Sequence, residues 1–195
     1  MAATPIPVDT SDRQANRRRG RLQLLLVLLV AFGPMLLATS MYKLRFWVPD
    51  SRSYHGVLIG NGQVRQDIGV DTDERRWQLL VSAPGACQAD CQRLVYLARQ
   101  IQIGLSRDAS RASHALASAQ PLAPDYRQQL DREYPQLRRV PLDLSRYRRG
   151  APGIDTPQLW IVDPHGNLVL RYGAEVDGKQ LLNDLRHLLK LSNIG

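Results

Sequence analysis

The only two cysteines of this 195-residue chain, Cys87 and Cys91, stand where the local pattern changes from strand to helix. Before them, Trp77-Gln78-Leu79-Leu80-Val81-Ser82 reads as a short buried strand; after them, Leu94, Val95, Leu97, Ala98 and Ile101 recur at helical spacing. Both sulfurs therefore fall at the start of a helix, whose unpaired N–H groups and positive dipole end favour thiolate over thiol. Residues i and i+4 share a helix face, which brings the two positions to roughly 5–6 Å, close enough for a disulfide or for bridging a Cu(I) ion. A static disulfide at a helix start has the same spacing. Asp90 between the sulfurs repels a neighbouring thiolate, but an acidic residue also suits the first turn of a helix.

The remaining pattern predicts one α/β domain. After the helix to about Gly104 come a weak strand at His114–Ala119, a helix at Pro124–Tyr134 and a short strand around Leu137–Val140. A strand at Gln158–Val162, the turn Asp163-Pro164-His165-Gly166, a strand at Leu168–Tyr172 and a helix from Gly178 to Leu191 complete it. On that last helix Leu181, Leu182, Leu185, Leu188 and Leu189 form the apolar stripe, with Lys179, Asp184, Arg186 and Lys190 expected to face water. A βαβ start followed by a hairpin and a closing helix is the order of a thioredoxin-like domain, a central mixed sheet flanked by helices. The stretch Gly153–Val162 resembles the thioredoxin segment in which a cis-proline opens the strand beside the thiols. Pro157, after Thr156, is the candidate for that role; without the resemblance it reads as an ordinary strand-entry proline.

The N-terminal end speaks to compartment. Leu22 to Tyr42 is a run of 21 residues without a charge, with Gln23 as its only strongly polar member. At about 1.5 Å per residue it matches one bilayer core, so a single-pass transmembrane helix is expected. Arg13, Arg17, Arg18, Arg19 and Arg21 precede it, which puts residues 1–21 in the cytoplasm and the rest across the membrane, in the periplasm of a bacterial cell. A cleaved signal peptide is the competing reading, for which the apolar run is long. Residues 43–75 read as a linker with one hairpin, Gly56–Gly60 and Val64–Val70 flanking the tight-turn dipeptide Asn61-Gly62, and residues 76–195 as the domain.

Of 26 basic and 18 acidic residues in all, 21 and 16 lie beyond residue 21. Arg138, Arg139, Arg146, Arg148 and Arg149 concentrate the surplus, as a docking patch for an acidic partner or lipid headgroups or as a solvated face. Nucleic acid is disfavoured, because the region is exported and has no aromatic-interleaved basic motif. Paired-carboxylate, Ser-His-Asp and phosphate-loop signatures are all missing from the sequence.

From about Trp77 to Lys190 the chain resembles the Sco-type form of the thioredoxin fold, the membrane-anchored copper chaperones and thiol reductases that help assemble the copper site of cytochrome c oxidase. Cys87-Gln88-Ala89-Asp90-Cys91 is similar to their CxxxC, and Leu159 to Leu168 to their strand–Asp-Pro-x-Gly–strand hairpin. Leu97-Ala98-Arg99-Gln100 and the end from Asp184 to Gly195 also resemble small anchored proteins found among oxidase-assembly genes in proteobacteria. The resemblance implies a thiol–disulfide or Cu(I) site at Cys87 and Cys91, with an oxidase subunit or assembly factor as partner.

It also has a departure. Sco proteins bring a histidine to the copper from just before the hairpin strand, where this chain has Gly153-Ile154-Asp155-Thr156-Pro157. His165 lies in the hairpin turn, more than about 20 Å from the thiols at some 3.3 Å per residue. His187 comes late on the terminal helix and His114 at the far end of its strand, leaving His55 as the histidine whose position is free enough to reach the site. Two thiolates alone hold Cu(I) weakly and Cu(II) poorly, so redox work ranks above copper delivery. In redox work Cys87 is the attacking thiolate and Cys91 resolves the mixed disulfide. A thioredoxin-like binding module with a structural disulfide is the non-catalytic alternative, and a general periplasmic thiol oxidoreductase without an oxidase client is the third reading.

Overall fold

Six strands form one mixed sheet in the order β1-β6-β5-β2-β3-β4. The computed structural model describes residues 23–37, 39–40 and 54–192 of the chain, which divides into two units, Met1–Ser51 and Arg52–Gly195. In the first unit residues 23–37 and 39–40 are helical (α1). The ends of the expected span, Leu22, Met41 and Tyr42, lie outside the described residues, as does Ala38, and among the described residues no helix is long and apolar enough to cross a membrane.

In the second unit the strands are β1 (Val57–Leu58), β2 (Trp77–Ala83), β3 (Ala112–Ser118), β4 (Arg138–Pro141), β5 (Gln158–Val162) and β6 (Leu168–Tyr172). The helices are α2 (Ala89–Gly104), α3 (Pro124–Glu133), α4 (Leu144–Gly150) and α5 (Gly178–Leu191), and a 3-10 turn at Ser106–Arg111 follows α2. β2, β3 and β4 are parallel, β5 and β6 are the antiparallel hairpin, and β5 pairs with β2, so the cysteine-bearing connection leaves the central strand. This is the thioredoxin-like arrangement expected from the sequence.

Alternation along the strands splits the core between the two faces of the sheet. Leu79, Val81, Leu116, Leu159, Ile161, Leu170 and Tyr172 point to the layer of α2, α3 and α5. Leu80, Ala115, Ala117, Trp160, Val162 and Leu168 point to Tyr147 of α4 and to Ile68 and Val70. At about 1.5–3 kcal/mol for each large side chain fully buried, these two clusters supply most of the stabilisation. Short polar devices set the element ends. Asp143 and Asp177 cap α4 and α5 by accepting from the second and third amides of each helix. Asp163 Oδ1 accepts from the amides of His165 (2.9 Å) and Asn167 (2.8 Å), and Gly166 takes a positive φ of 92°, which closes the β5–β6 turn.

The expected hairpin around Asn61-Gly62 does not form. Val57 and Leu58 pair instead with Arg171 and Leu170 of β6, and Val64 bridges to Asn167, so both arms lie along the β5–β6 hairpin. The turn dipeptide is still a turn, with Gly62 at φ 72° and Asn61 Oδ1 accepting from Gln63 N. The first arm finds the unpaired edge of β6 and the second buries Ile68 and Val70, which two short arms cannot offer each other. Residues 54–75 thus belong to the folded unit and are not a free linker.

Three of the five clustered arginines have acidic partners. Arg138 faces Asp73 and Glu74 at 3.7 and 3.6 Å, Arg139 pairs with Asp131 at 2.6 Å, and Arg146 donates to both Asp71 and Asp143. Only Arg148 and Arg149 of the five are without an ion pair among the described residues.

Candidate functional site

The site begins where β2 ends. Ala119 N donates to Ala83 O at 3.0 Å, the last rung between β2 and the β3 side, and the chain then turns through Pro84, Gly85 and Ala86 into α2. Just beneath, Trp160 Nε1 donates to Ser82 Oγ at 2.9 Å and the Ser82 hydroxyl meets Tyr147 Oη at 3.2 Å. This buried polar knot ties β2, β5 and α4 together at the end of β2, on the face of the sheet opposite the cysteines.

Cys87 and Cys91 are joined as a disulfide with their Cα atoms 5.0 Å apart. The two ends have different surroundings. Cys91, in the first turn of α2, is fully buried among Leu94, Val95 and the rest of the inner cluster. Cys87 is half-buried on the rim of that cluster, and Ala86, Gln88, Ala89 and Asp90 around it are exposed. α2 also lacks the device that closes α4 and α5, because its N-cap residue Gln88 makes no side-chain cap hydrogen bond. Gln92 Nε2 holds the Cys87 carbonyl at 3.3 Å, which fixes the loop against the helix. An uncapped helix start beside a half-exposed sulfur favours a thiolate at Cys87 once the bond is reduced.

Pro157 comes to the same end of the sheet, since its neighbour Gln158 opens β5 opposite Ser82. The expected cis bond is not found: every peptide bond among the described residues is trans, Thr156–Pro157 included. The Gln158 side chain folds back to donate to Pro157 O and Thr156 Oγ1, both at 3.0 Å, so the approach to β5 is held by its own first residue. Proline needs no special geometry at such a point, as its missing N–H is not asked for before the first rung.

The histidines are engaged away from the sulfurs. His55 donates its backbone N–H to Asp184 Oδ2 at 2.7 Å, and its Nδ1 lies 2.9 Å from Oδ1. Tyr172 Oη donates to the same Oδ2 at 2.7 Å, and Gly56 N approaches it at 3.3 Å. Asp184, expected to face water, is 1 % exposed. Burial alone would raise its pKa, but the hydrogen bonds from His55, Tyr172 and Gly56 outweigh it and hold the carboxyl below its ordinary value. The signal was present in the sequence, because Asp184 stands three residues after Leu181 and four before Leu188, on the apolar stripe itself. His187 meets the Tyr54 ring edge-on at 5.5 Å between centroids, His114 is buried against Gln102, and His165 is in the hairpin turn. Among the described residues no group of three or more His, Cys, Asp or Glu is placed to hold a metal ion.

Residues 77–192 match the family described as the transmembrane-like, thioredoxin-like, C-terminal domain. The chain belongs to this family. Ahead of that domain, residues 14–45 match the companion transmembrane-like, N-terminal domain. No curated protein matches the chain. Among solved structures, copper-bound ScoI of Arabidopsis thaliana is 11% identical, over 61% of this chain and 87% of that one, with a TM-score of 0.48. A putative thiol:disulfide interchange protein DsbE from Chlorobium tepidum is 12% identical, over 62% and 83%, with a TM-score of 0.45. Copper-bound ScoI of Bradyrhizobium japonicum is 14% identical, over 58% and 85%, with a TM-score of 0.42. With every one of these scores below 0.5, the fold assignment rests on the match to the transmembrane-like, thioredoxin-like family.

Proposed function

We propose that this chain is a membrane-anchored periplasmic thiol protein that assists cytochrome c oxidase assembly, as the Sco-type proteins it resembles do, by thiol–disulfide exchange through Cys87 and Cys91. The observation that carries the reading is the unequal burial of the two bonded cysteines at an uncapped helix start, one sulfur at the rim and the other in the core. The anchor is supported by the uncharged run Leu22–Tyr42, the arginines before it and the transmembrane-like match at 14–45.

In the reduced protein the Cys87 thiolate attacks a partner's disulfide, forming a mixed disulfide and releasing one partner thiolate. Cys91, deprotonated in turn, attacks the Cys87 sulfur and releases the second partner thiolate. Two electrons pass to the partner and the Cys87–Cys91 bond re-forms, to be reduced again by an exported dithiol reductant. Cu(I) is the alternative cargo. The reduced pair offers two soft sulfur donors, which fit near-linear Cu(I), while His55 and His114 are held through Nδ1 by Asp184 and Gln102.

Redox equilibration of the full chain against dithiol buffers tests the reading. A potential above about −300 mV fits an exchanging pair, whereas one below it marks a fixed bond and leaves a binding module. Anaerobic Cu(I) titration of the reduced protein, with Cys87→Ser and Cys91→Ser as controls, then separates copper delivery from electron exchange.

A further inference from the structure

Away from the disulfide, between the C-terminal half of α2, the end of α3 and the edge of β3, lies a cavity of about 280 Å³. His114, Gln102, Arg99, Tyr134, Gln136 and Ile103 line it, and no carboxylate does. Arg99 stacks on the Tyr134 ring with its guanidinium carbon 5.1 Å from the centroid, and among the described residues no acid pairs with it. The carbonyls that end α2 do not oppose a negative ligand. Leu105 N occupies those of Ile101 and Gln102, and the Arg186 guanidinium that of Gly104.

His114 is 3 % exposed and supplies the second requirement. Gln102 donates through Nε2 to Ala112 O at 2.8 Å and to Ala109 O at 3.4 Å, which fixes the amide so that its oxygen meets His114 Nδ1. An amide oxygen only accepts, so Nδ1 carries the ring proton and Nε2 is left as an acceptor. That Nε2 is buried with no partner among the described residues. Burial, together with the charges of Arg99 and Arg76, lowers the His114 pKa to about 4, so the ring is neutral at pH 7 and keeps this acceptor role. A buried acceptor without a donor is unfavourable and asks for one.

We infer that this cavity binds a small hydroxy acid, its carboxylate on the Arg99 guanidinium, its hydroxyl donated to His114 Nε2 and its apolar body against Ile103. The pairing of one cation with one acceptor selects the ligand class. A simple carboxylate leaves Nε2 unsatisfied, and an alcohol leaves Arg99 unused. The volume is at the small end of ligand sites, which excludes nucleotides and cofactors of comparable size. The inference goes beyond the thiol chemistry and stands or falls separately from it.

Mandelate is the probe, followed by the side-chain ¹⁵N resonances of His114 in the full-length protein. Phenylacetate, lacking the hydroxyl, and 1-phenyl-1,2-ethanediol, lacking the carboxylate, are the comparators. The expected result is a saturable shift of the Nε2 resonance with mandelate and an affinity at least about tenfold higher than for either comparator, as losing one charge-assisted or buried hydrogen bond implies. Arg99→Gln, which removes the charge, should bring mandelate down to the affinity of the diol while the far-UV circular dichroism shows the fold retained. A His114 resonance that does not move, equal affinities for all three probes in the native protein, or undiminished mandelate binding by R99Q would overturn the inference.

Discussion

The proposed exchange needs one sulfur that a partner can touch and one that stays hidden, and the two cysteines differ in burial in that sense. In the reduced protein, the lone Cys87 of a Cys91→Ser variant should react with a maleimide at least about ten times faster than the lone Cys91 of Cys87→Ser, because alkylation follows thiolate fraction and access. Equal rates would remove the division into attacking and resolving roles. His114 allows a second prediction at this scale. Its pKa falls from 6.5 to about 4 on folding, so between those values the unfolded chain binds the extra proton. Stability from this group is therefore complete above pH 6.5 and is lost as pH drops toward 4. His114→Gln should flatten that part of the stability–pH curve in denaturant titrations. The thiol positions were legible from spacing and pattern alone. The trans bond before Pro157 agrees with the residues alone, which read as an ordinary strand entry; the cis expectation came from the resemblance, and the Gln158 side chain that holds the segment has no sequence signature.

Helix α5 and the segment before β1 are joined by one carboxylate. Asp184→Asn keeps the shape but weakens an acceptor shared by His55, Gly56 and Tyr172, and should destabilise the protein by about 1–3 kcal/mol. The amides of His55 and Gly56 should exchange faster with deuterium while those of β2 are unaffected. The lowered pKa of Asp184 sets an acid limit on this clamp, in the same direction as that of His114 but at lower pH: it is intact above the ordinary carboxylate range and released as pH falls through the depressed value. Ser82→Ala should cost a similar amount, since it leaves the Trp160 indole N–H without its acceptor in a dry interior. Regular elements with a strong period, α2, α5, β2 and β5, were readable from the sequence. The short helix α4 was not, since seven residues carry little periodicity and its start is set by the Asp143 cap. Nor was the fate of Val57 and Leu58, whose partner β6 lies more than a hundred residues away and can only be chosen by the folded sheet.

The second unit is larger than its most recognisable part. Ile68 and Val70 are fully buried on the α4 face of the sheet, each worth about 1.5–3 kcal/mol, and β1 covers the outer side of β6. A chain beginning at residue 76 should therefore unfold at clearly lower urea than one beginning at residue 52, with a transition that is less cooperative. Equal midpoints would return residues 54–75 to the status of a tether. Composition and turn signals placed that boundary too late, because the segment is rich in the glycine and polar residues of a linker and shows its apolar anchors only singly.

The sheet's two outermost strands have one more effect. β1 is two residues long, and β4 carries Arg138, Arg139 and Pro141 on its exposed positions. Neither flank offers a stretch of free main chain on which another polypeptide could zip up rung by rung. A polypeptide partner is thereby denied strand addition at either side of the sheet.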